Sequence, residues 1–203
     1  MLDSSTVNNG DVSSSAAPAE LDVMNEILPR LWLGDIASPQ DAKTLEEKNI
    51  RSILSVMDWE VYVPEGITHK QIWLDDVEHD DLLANMVPSI EFIQSELDKG
   101  HGVLVHCFAG QSRSASIVAA YIMYSQKVDF PTARRQLRSA RPLVRPNPGF
   151  VAQLDILYKA ISQTNTEDST EEEKLRRIGV TLEELKPTKE ELKARRAKFF
   201  TRK

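Results

Sequence analysis

The stretch Val105-His106-Cys107-Phe108-Ala109-Gly110-Gln111-Ser112-Arg113-Ser114 contains the only cysteine of this 203-residue chain. Apolar residues typical of a buried strand precede the cysteine, and a nearly apolar segment of helical character, 114–126, follows the stretch. Open α/β sheets place their ligand sites in loops at the carboxyl ends of strands. The stretch therefore predicts an α/β fold whose site is built around Cys107.

The spacing between Cys107 and Arg113 predicts an anion-binding loop. Five residues separate the two, so the loop can curl until its backbone N–H groups point at one tetrahedral oxyanion. Gly110 allows a backbone conformation that a Cβ would disfavour. The helix that begins near Arg113 adds the partial positive charge of its N-terminus. Such surroundings stabilise a thiolate, which is the nucleophilic form of cysteine.

Three side chains beside the nucleophile complete the predicted centre. Arg113 supplies a planar fork of donors that matches two phosphate oxygens. Ser114 can hydrogen-bond the sulfur of Cys107 and assist its departure as a leaving group. His106 is predicted to order the loop beneath the cysteine rather than to contact substrate.

The segment His106–Ser114 resembles the H-C-x-x-G-x-x-R-S signature of the cysteine-dependent protein phosphatases. Its Ala109-Gly110 and Ser112-Arg113-Ser114 steps are similar to the dual-specificity branch. The resemblance runs from about residue 26 to about residue 163 through three further motifs, Leu31–Asp35, Arg141-Pro142 and Asn147–Phe150. It implies a dual-specificity protein phosphatase with the fold of that family, a twisted sheet flanked by helices.

Phosphoryl transfer to a thiolate also needs a carboxylic acid that protonates the leaving oxygen and later accepts a proton from water. The acidic run 75–81, between a predicted strand and a predicted helix, supplies the candidates. The resemblance selects Asp76, because the acid of the family lies just after this strand and about six residues before the leucine that opens the helix. Asp75 stays the alternative, and Asp80 or Asp81 is predicted to cap the helix.

The predicted phosphate-binding residues are those of the loop and its arginine: Phe108, Ala109, Gly110, Gln111, Ser112 and Arg113. Phosphoinositide phosphatases of similar signature usually carry lysines inside this loop. Their absence here disfavours a highly charged inositol substrate. Asn147 is predicted to form a turn and cap the last helix, and the resemblance implies that it also supports the loop from behind.

The predicted reaction has two displacements. Cys107 attacks the phosphate ester while Asp76 protonates the departing oxygen, and water then hydrolyses the phosphocysteine. No metal or other cofactor is expected, because the loop and Arg113 supply the positive charge. The implied substrates are phosphotyrosine and phosphoserine or phosphothreonine in proteins. A phosphoprotein-binding scaffold without turnover is the alternative, and the intact Cys107, Arg113 and Ser114 disfavour it.

Composition and charge limit the cellular compartments and the binding partners that are expected for this chain. With one cysteine, an intramolecular disulfide and a cysteine-based zinc site are excluded, which favours a reducing cytoplasm and/or nucleus. No apolar run is long enough for a membrane span, and no secretory signal is visible. The net charge of −6 disfavours nucleic-acid binding. The partners expected are phosphorylated protein substrates, with a protein kinase as one candidate.

The chain divides into three predicted segments. Residues 1–24, rich in Ser, Asn and Ala, are predicted to be a disordered leader. Residues 25–163 alternate strand and helix patterns, which predicts a catalytic domain with a mostly parallel twisted sheet of about five strands flanked by helices. Residues 164–203 are predicted to be a charged tail, helical or disordered. The basic cluster at its end makes docking an alternative to a plain solvated tail.

Overall fold

The computed structural model describes residues 22–164, 169–187 and 191. Most of the predicted leader and the basic cluster near the C-terminus lie outside these residues. The strands are β1 (Met24–Leu28), β2 (Leu31–Gly34), β3 (Ile50–Met57), β4 (Thr68–Trp73) and β5 (Gly102–His106). The helices are α1 (Ala42–Glu47), α2 (Leu83–Asp98), α3 (Arg113–Gln126), α4 (Phe130–Ala140), α5 (Pro148–Thr164) and α6 (Glu171–Leu185).

The five strands form one sheet in the order β1-β2-β5-β3-β4. Only the pair at one edge, β1 and β2, is antiparallel, and the other described pairs are parallel. The predicted α/β fold with a mostly parallel sheet is therefore confirmed. Because β5 is the central strand and ends at His106, the loop that follows leaves the middle of the carboxyl edge.

Helices cover both faces of the sheet, but unequally. The main core lies between the sheet and α2 to α6, and a smaller cluster of buried side chains lies on the face that α1 covers. Helix α3 is buried along most of its length, as its apolar sequence predicted. None of the described helices is long and apolar enough to cross a membrane.

Helix α6 packs into the main core, so the folded domain extends beyond the boundary expected at residue 163. Its buried residues Leu175, Ile178 and Leu182 belong to the same cluster as those of α2 and α5. Tyr124 Oη of α3 also donates a hydrogen bond of 2.5 Å to Glu171 Oε2. The abundant charges of this segment lie mainly on the outer face of α6 and conceal its narrow apolar stripe in the sequence.

Candidate active site

Cys107 is the first residue after β5 and is only 2% exposed. Ser114, in the first turn of α3, donates a hydrogen bond of 3.1 Å from Oγ to the Cys107 sulfur. A donor at this distance stabilises negative charge on sulfur before attack and again when the sulfur leaves. The strand and the helix that the sequence predicted on either side of the loop thus place the two side chains in contact.

The loop 107–112 is held by hydrogen bonds on its outer side. The carbonyl oxygens of residues 108–112 each accept a hydrogen bond from a group outside the loop. Within the part of the chain that the structure describes, the amide N–H groups of these five residues have no hydrogen-bond partner. Unpaired consecutive amides are the arrangement of an anion-binding nest. The loop therefore presents N–H donors next to Cys107.

Gly110 and Arg141 fix the shape of this loop. Gly110 has a φ of +64°, and a Cβ at this position would lie 2.6 Å from the carbonyl oxygen of Gly34. Arg141, only 3% exposed, donates from Nε to Gly110 O at 3.0 Å and from Nη2 to Ala109 O at 3.3 Å. The signature at the cysteine did not predict this support, because Arg141 lies 31 residues beyond Gly110 in the chain.

Arg113 is buried at the start of α3, and its guanidinium is anchored on one side. Nη1 donates to Asp58 Oδ1 at 2.9 Å and to the carbonyl oxygen of Leu74 at 3.2 Å. Nε is buried and has no hydrogen-bond partner among the described residues. The sequence pattern did not point to Asp58. Its one signal is that it directly follows β3, whose carboxyl end adjoins that of β5.

Asp75 lies beside Asp58 and away from the cavity. The hydrogen bond that it shares with Asp58 raises the pKa of Asp75, and some loss of hydration adds to the rise. For Asp58, burial acts to raise the pKa, but hydrogen bonds, first that from Arg113, outweigh it and leave the pKa below its usual value. Next to the arginine, the pKa of Asp58 is therefore lowered and that of its neighbour Asp75 is raised, as expected for two carboxyl groups in contact.

Asp76 points to the opposite side and lines the cavity above Cys107. Its Oδ1 accepts hydrogen bonds from Ser112 Oγ at 2.6 Å and from Asn147 Nδ2 at 2.8 Å. Asn147 also caps α5, as predicted, by accepting from Phe150 N at 2.9 Å. Asn147 N also donates to Ser112 Oγ at 3.0 Å, so Asn147 contacts the loop, although from its cavity side. Its contact with an acidic side chain brought from a distant segment was not visible in the sequence.

His106 lies beneath the loop, in the position that the sequence predicted for a structural residue. Its Nε2 is 2.7 Å from Ser55 Oγ, which is also 2.9 Å from His69 Nε2. Burial lowers the pKa of His106 to about 4. The imidazole is therefore neutral at physiological pH and holds the end of β5 against β3.

The buried imidazole of His106 is expected to make folding stability depend on pH. Its pKa is about 4 in the folded protein against 6.5 for the free side chain, so the unfolded chain binds more protons between these values. The free energy of unfolding should fall by up to about 3 kcal/mol as pH drops from 7 to 4. Urea unfolding across this range measures the slope.

Two variants isolate the contribution of this histidine. His106→Asn should flatten the slope, whereas the exposed control His79→Gln should retain it. An unchanged slope in His106→Asn would assign the acid sensitivity to other groups.

A cavity of about 420 Å³ unites most of the predicted site residues. Gly110 does not line this cavity; its positive φ sets the conformation of the loop instead. Phe108, 57% exposed, stands at the mouth with its ring edge-on to Trp59, the centroids 6.1 Å apart. Ser114 touches the nucleophile from behind. The lining residues are Asp76, Cys107, Phe108, Ala109, Gln111, Ser112, Arg113, Arg145, Pro146, Asn147 and Pro148.

The loop amides and Arg113 can bind an oxyanion, and a buried thiol and a carboxyl group lie beside them. This arrangement is typical of nucleophilic attack on phosphorus. The class of protein that combines this site with a mostly parallel sheet is the cysteine-dependent phosphatases. The model of the family described as dual specificity phosphatase, catalytic domain, matches residues 31–160. The chain belongs to this family, whose members are protein phosphatases that act through a phosphocysteine.

Known relatives agree with this assignment. Dual specificity protein phosphatase 22 of Xenopus tropicalis is 38% identical over 132 residues, which cover 65% of this chain and 63% of that protein. Dual specificity protein phosphatase 1B of Arabidopsis thaliana is 35% identical over 139 residues, covering 68% and 83%. The crystal structure of DUSP15 superposes with a TM-score of 0.68 at 28% identity, covering 82% of this chain and 97% of that one. The chain thus spans just under two thirds of the length of the frog protein.

Proposed function

We propose that this chain hydrolyses phosphotyrosine and phosphoserine or phosphothreonine in proteins through a phosphocysteine on Cys107. The observation that carries the proposal is the loop, whose five amide N–H groups are unpaired while its carbonyl oxygens are bonded outward. Such a set of donors can hydrogen-bond the three equatorial oxygens of a phosphoryl group while it is being transferred. These amides donate hydrogen bonds that stabilise the negative charge on the phosphoryl oxygens.

In the first step the thiolate of Cys107 attacks phosphorus, so that an S–P bond forms and the P–O bond to the substrate breaks. Asp58 and the Leu74 carbonyl occupy Nη1 of Arg113, which leaves the Nε edge of the guanidinium for the phosphate oxygens. Asp58 is a positioning residue, because it orients Arg113 without reaching the cavity.

Asp76 serves as the general acid of the first step and the general base of the second. Ser112 and Asn147 both donate to its Oδ1, which leaves Oδ2 to carry the transferred proton. The proton passes to the departing oxygen of the substrate. A water molecule then attacks phosphorus, gives its proton to Asp76 and displaces the Cys107 thiolate, which the hydroxyl of Ser114 stabilises.

Asp76→Asn tests both the function and the choice of acid. The variant should turn over phosphotyrosine and phosphothreonine peptides roughly 10²- to 10⁴-fold more slowly than the wild type. It should lose much less on an activated aryl phosphate, whose leaving group needs no proton. Steady-state release of inorganic phosphate measures kcat for each substrate.

Asp75→Asn is the matched control for this experiment, because Asp75 is adjacent in sequence but directed toward Asp58. If Asp75→Asn shows the larger, substrate-dependent loss, the acid is Asp75. If the wild-type chain releases no phosphate from any of these substrates, the proposed function is wrong.

The family and the single thiol indicate the partners and the cellular compartment. Phosphorylated proteins are the substrates that the family implies, and a protein kinase is proposed among them. The cytoplasm or nucleus is proposed as the compartment, since a reactive single thiol needs reducing surroundings. The docking role proposed for the basic cluster near the C-terminus falls on residues outside the described ones.

A further inference from the structure

A second cavity, of about 680 Å³, lies along α4 and the first two turns of α5, outside the catalytic site. Three arginines of α4, Arg134, Arg135 and Arg138, line it. Phe130 and Val151 contribute apolar surface at its floor. We refer to this surface as the α4–α5 groove. It combines positive charge with an apolar floor, which suits an extended peptide better than a small ion.

The positive charge of the groove is only partly neutralised within the described part of the fold. Arg134 and Arg138 are exposed and have no ion pair or hydrogen bond to any described residue, and Arg135 bonds only Thr132 Oγ1. Like charges four residues apart on a helix repel each other. One carboxylate, Asp155, lines the groove, and burial raises its pKa. Three guanidinium groups therefore face one lining carboxyl group, Asp155, and a second one nearby, Asp129, which interacts electrostatically with Arg135 and with Asp155.

The α4–α5 groove adjoins the catalytic cavity through the segment that joins the two helices. Within residues 141–147, Arg141 binds the phosphate loop, while Arg145, Pro146 and Asn147 line the catalytic cavity. Pro148, which also lines that cavity, begins α5, and Val151 of the next turn lines the groove. Three residues of helix rise about 4.5 Å, a length that two residues of an extended substrate chain cover, so such a chain can pass from the catalytic cavity to the start of the groove.

We propose that the α4–α5 groove binds an acidic segment of the phosphoprotein substrate. The guanidinium groups pair with Asp or Glu side chains, and the apolar floor contacts intervening aliphatic side chains. A protein segment is favoured over nucleic acid because the chain is acidic overall and Asp155 would repel a continuous phosphate backbone. The inference rests on the proposed function for the phosphorylated residue, but binding of the acidic segment can be measured without turnover.

The binding test uses the full chain and a fluorescent, unphosphorylated peptide of alternating Glu and Leu. The groove variant is Arg134→Glu with Arg138→Glu. The control variant is Lys43→Glu with Arg51→Glu, which changes net charge equally at exposed sites on α1 and β3. Fluorescence anisotropy should give a Kd that rises roughly tenfold or more in the groove variant and hardly changes in the control.

A kinetic test uses phosphopeptides that differ only in an acidic or a Gln-substituted flank. The groove variant should raise KM roughly tenfold for the acidic peptide alone, with kcat and aryl phosphate turnover unchanged. Circular dichroism confirms that both double variants are folded.

Three results would overturn the groove proposal: equal peptide binding by the wild type and the groove variant, equal losses in the control variant, or single-stranded RNA that outcompetes the acidic peptide. A wild type that binds the acidic peptide but releases no phosphate would instead overturn the proposed function and leave the groove in place.

Discussion

Cys107→Ser is expected to abolish turnover, with a loss on the order of 10⁴- to 10⁶-fold in kcat. A serine hydroxyl at this position is not ionised and is a poor nucleophile and leaving group. The remaining binding elements stay in place, because Arg141 and the end of β2 hold the loop independently of the sulfur. The variant should therefore bind a phosphotyrosine peptide about as tightly as the wild type.

Isothermal titration calorimetry measures this binding, and phosphate release measures turnover of the same peptide. As a positive control, acid-quenched wild type should carry a phosphoryl adduct on Cys107 that the serine variant lacks. Full activity in Cys107→Ser would end the proposed mechanism. Loss of peptide binding in a folded Cys107→Ser protein would show instead that the sulfur, and not the loop, provides the affinity.

Truncation after Gln163 is expected to destabilise the domain strongly, because it removes α6 from the main core. Leu175, Ile178 and Leu182 are all buried against α2 and α5. Burial of one such side chain is worth roughly 1.5–3 kcal/mol, so a loss of about 4 kcal/mol or more in the free energy of unfolding is expected. That is a large part of the stability of a typical domain.

Truncation after Pro187 is the matched control, since it keeps α6 and is therefore expected to unfold at a higher urea midpoint than the chain ending at 163. In the full chain, Leu175→Ala should cost about 2–5 kcal/mol, which separates core packing from any effect of shortening. Equal urea midpoints for the chain ending at 163 and the full chain would contradict a structural role for α6. The truncation also removes Lys186, whose Nζ lies 2.6 Å from Asp81 Oδ2 in the segment that follows Asp76.

The nucleophile, its loop and the helix behind it could be predicted because they are contiguous in sequence. Cys107, Arg113 and Ser114 belong to one strand–loop–helix unit, and its spacing alone brings them together. The nearly apolar composition of residues 114–126 also predicted α3, which is buried along most of its length. By contrast, a helical tail was one prediction for this segment, but the packing of α6 into the core was not predicted, because its three buried residues stand among many charged ones.

The choice between neighbouring carboxyl groups depends on how the segment 75–82 is held. Asp80 Oδ2 accepts from Asp75 N at 2.6 Å, and Gln153 Nε2 of α5 donates to Asp80 O at 2.8 Å. Gly149 lets α5 approach this segment, since a Cβ there would lie 1.8 Å from Glu78 O. These contacts direct the side chains of Asp75 and Asp76 to opposite sides, and this difference cannot be predicted from their spacing in the sequence.

The sequence by itself therefore determined the α/β class, the thiol nucleophile and the phosphate loop, since short-range spacing and hydrophobic periodicity specify a local unit. Only the tertiary structure decided that Asp58, 55 residues from Arg113, orients the guanidinium and that Asn147 holds Asp76 over the cavity. It also decided that α6 belongs to the domain and that three arginines of α4 face a groove beside the active site. The physical reason is that these contacts join segments far apart in the chain, and sheet order and helix packing set their distances.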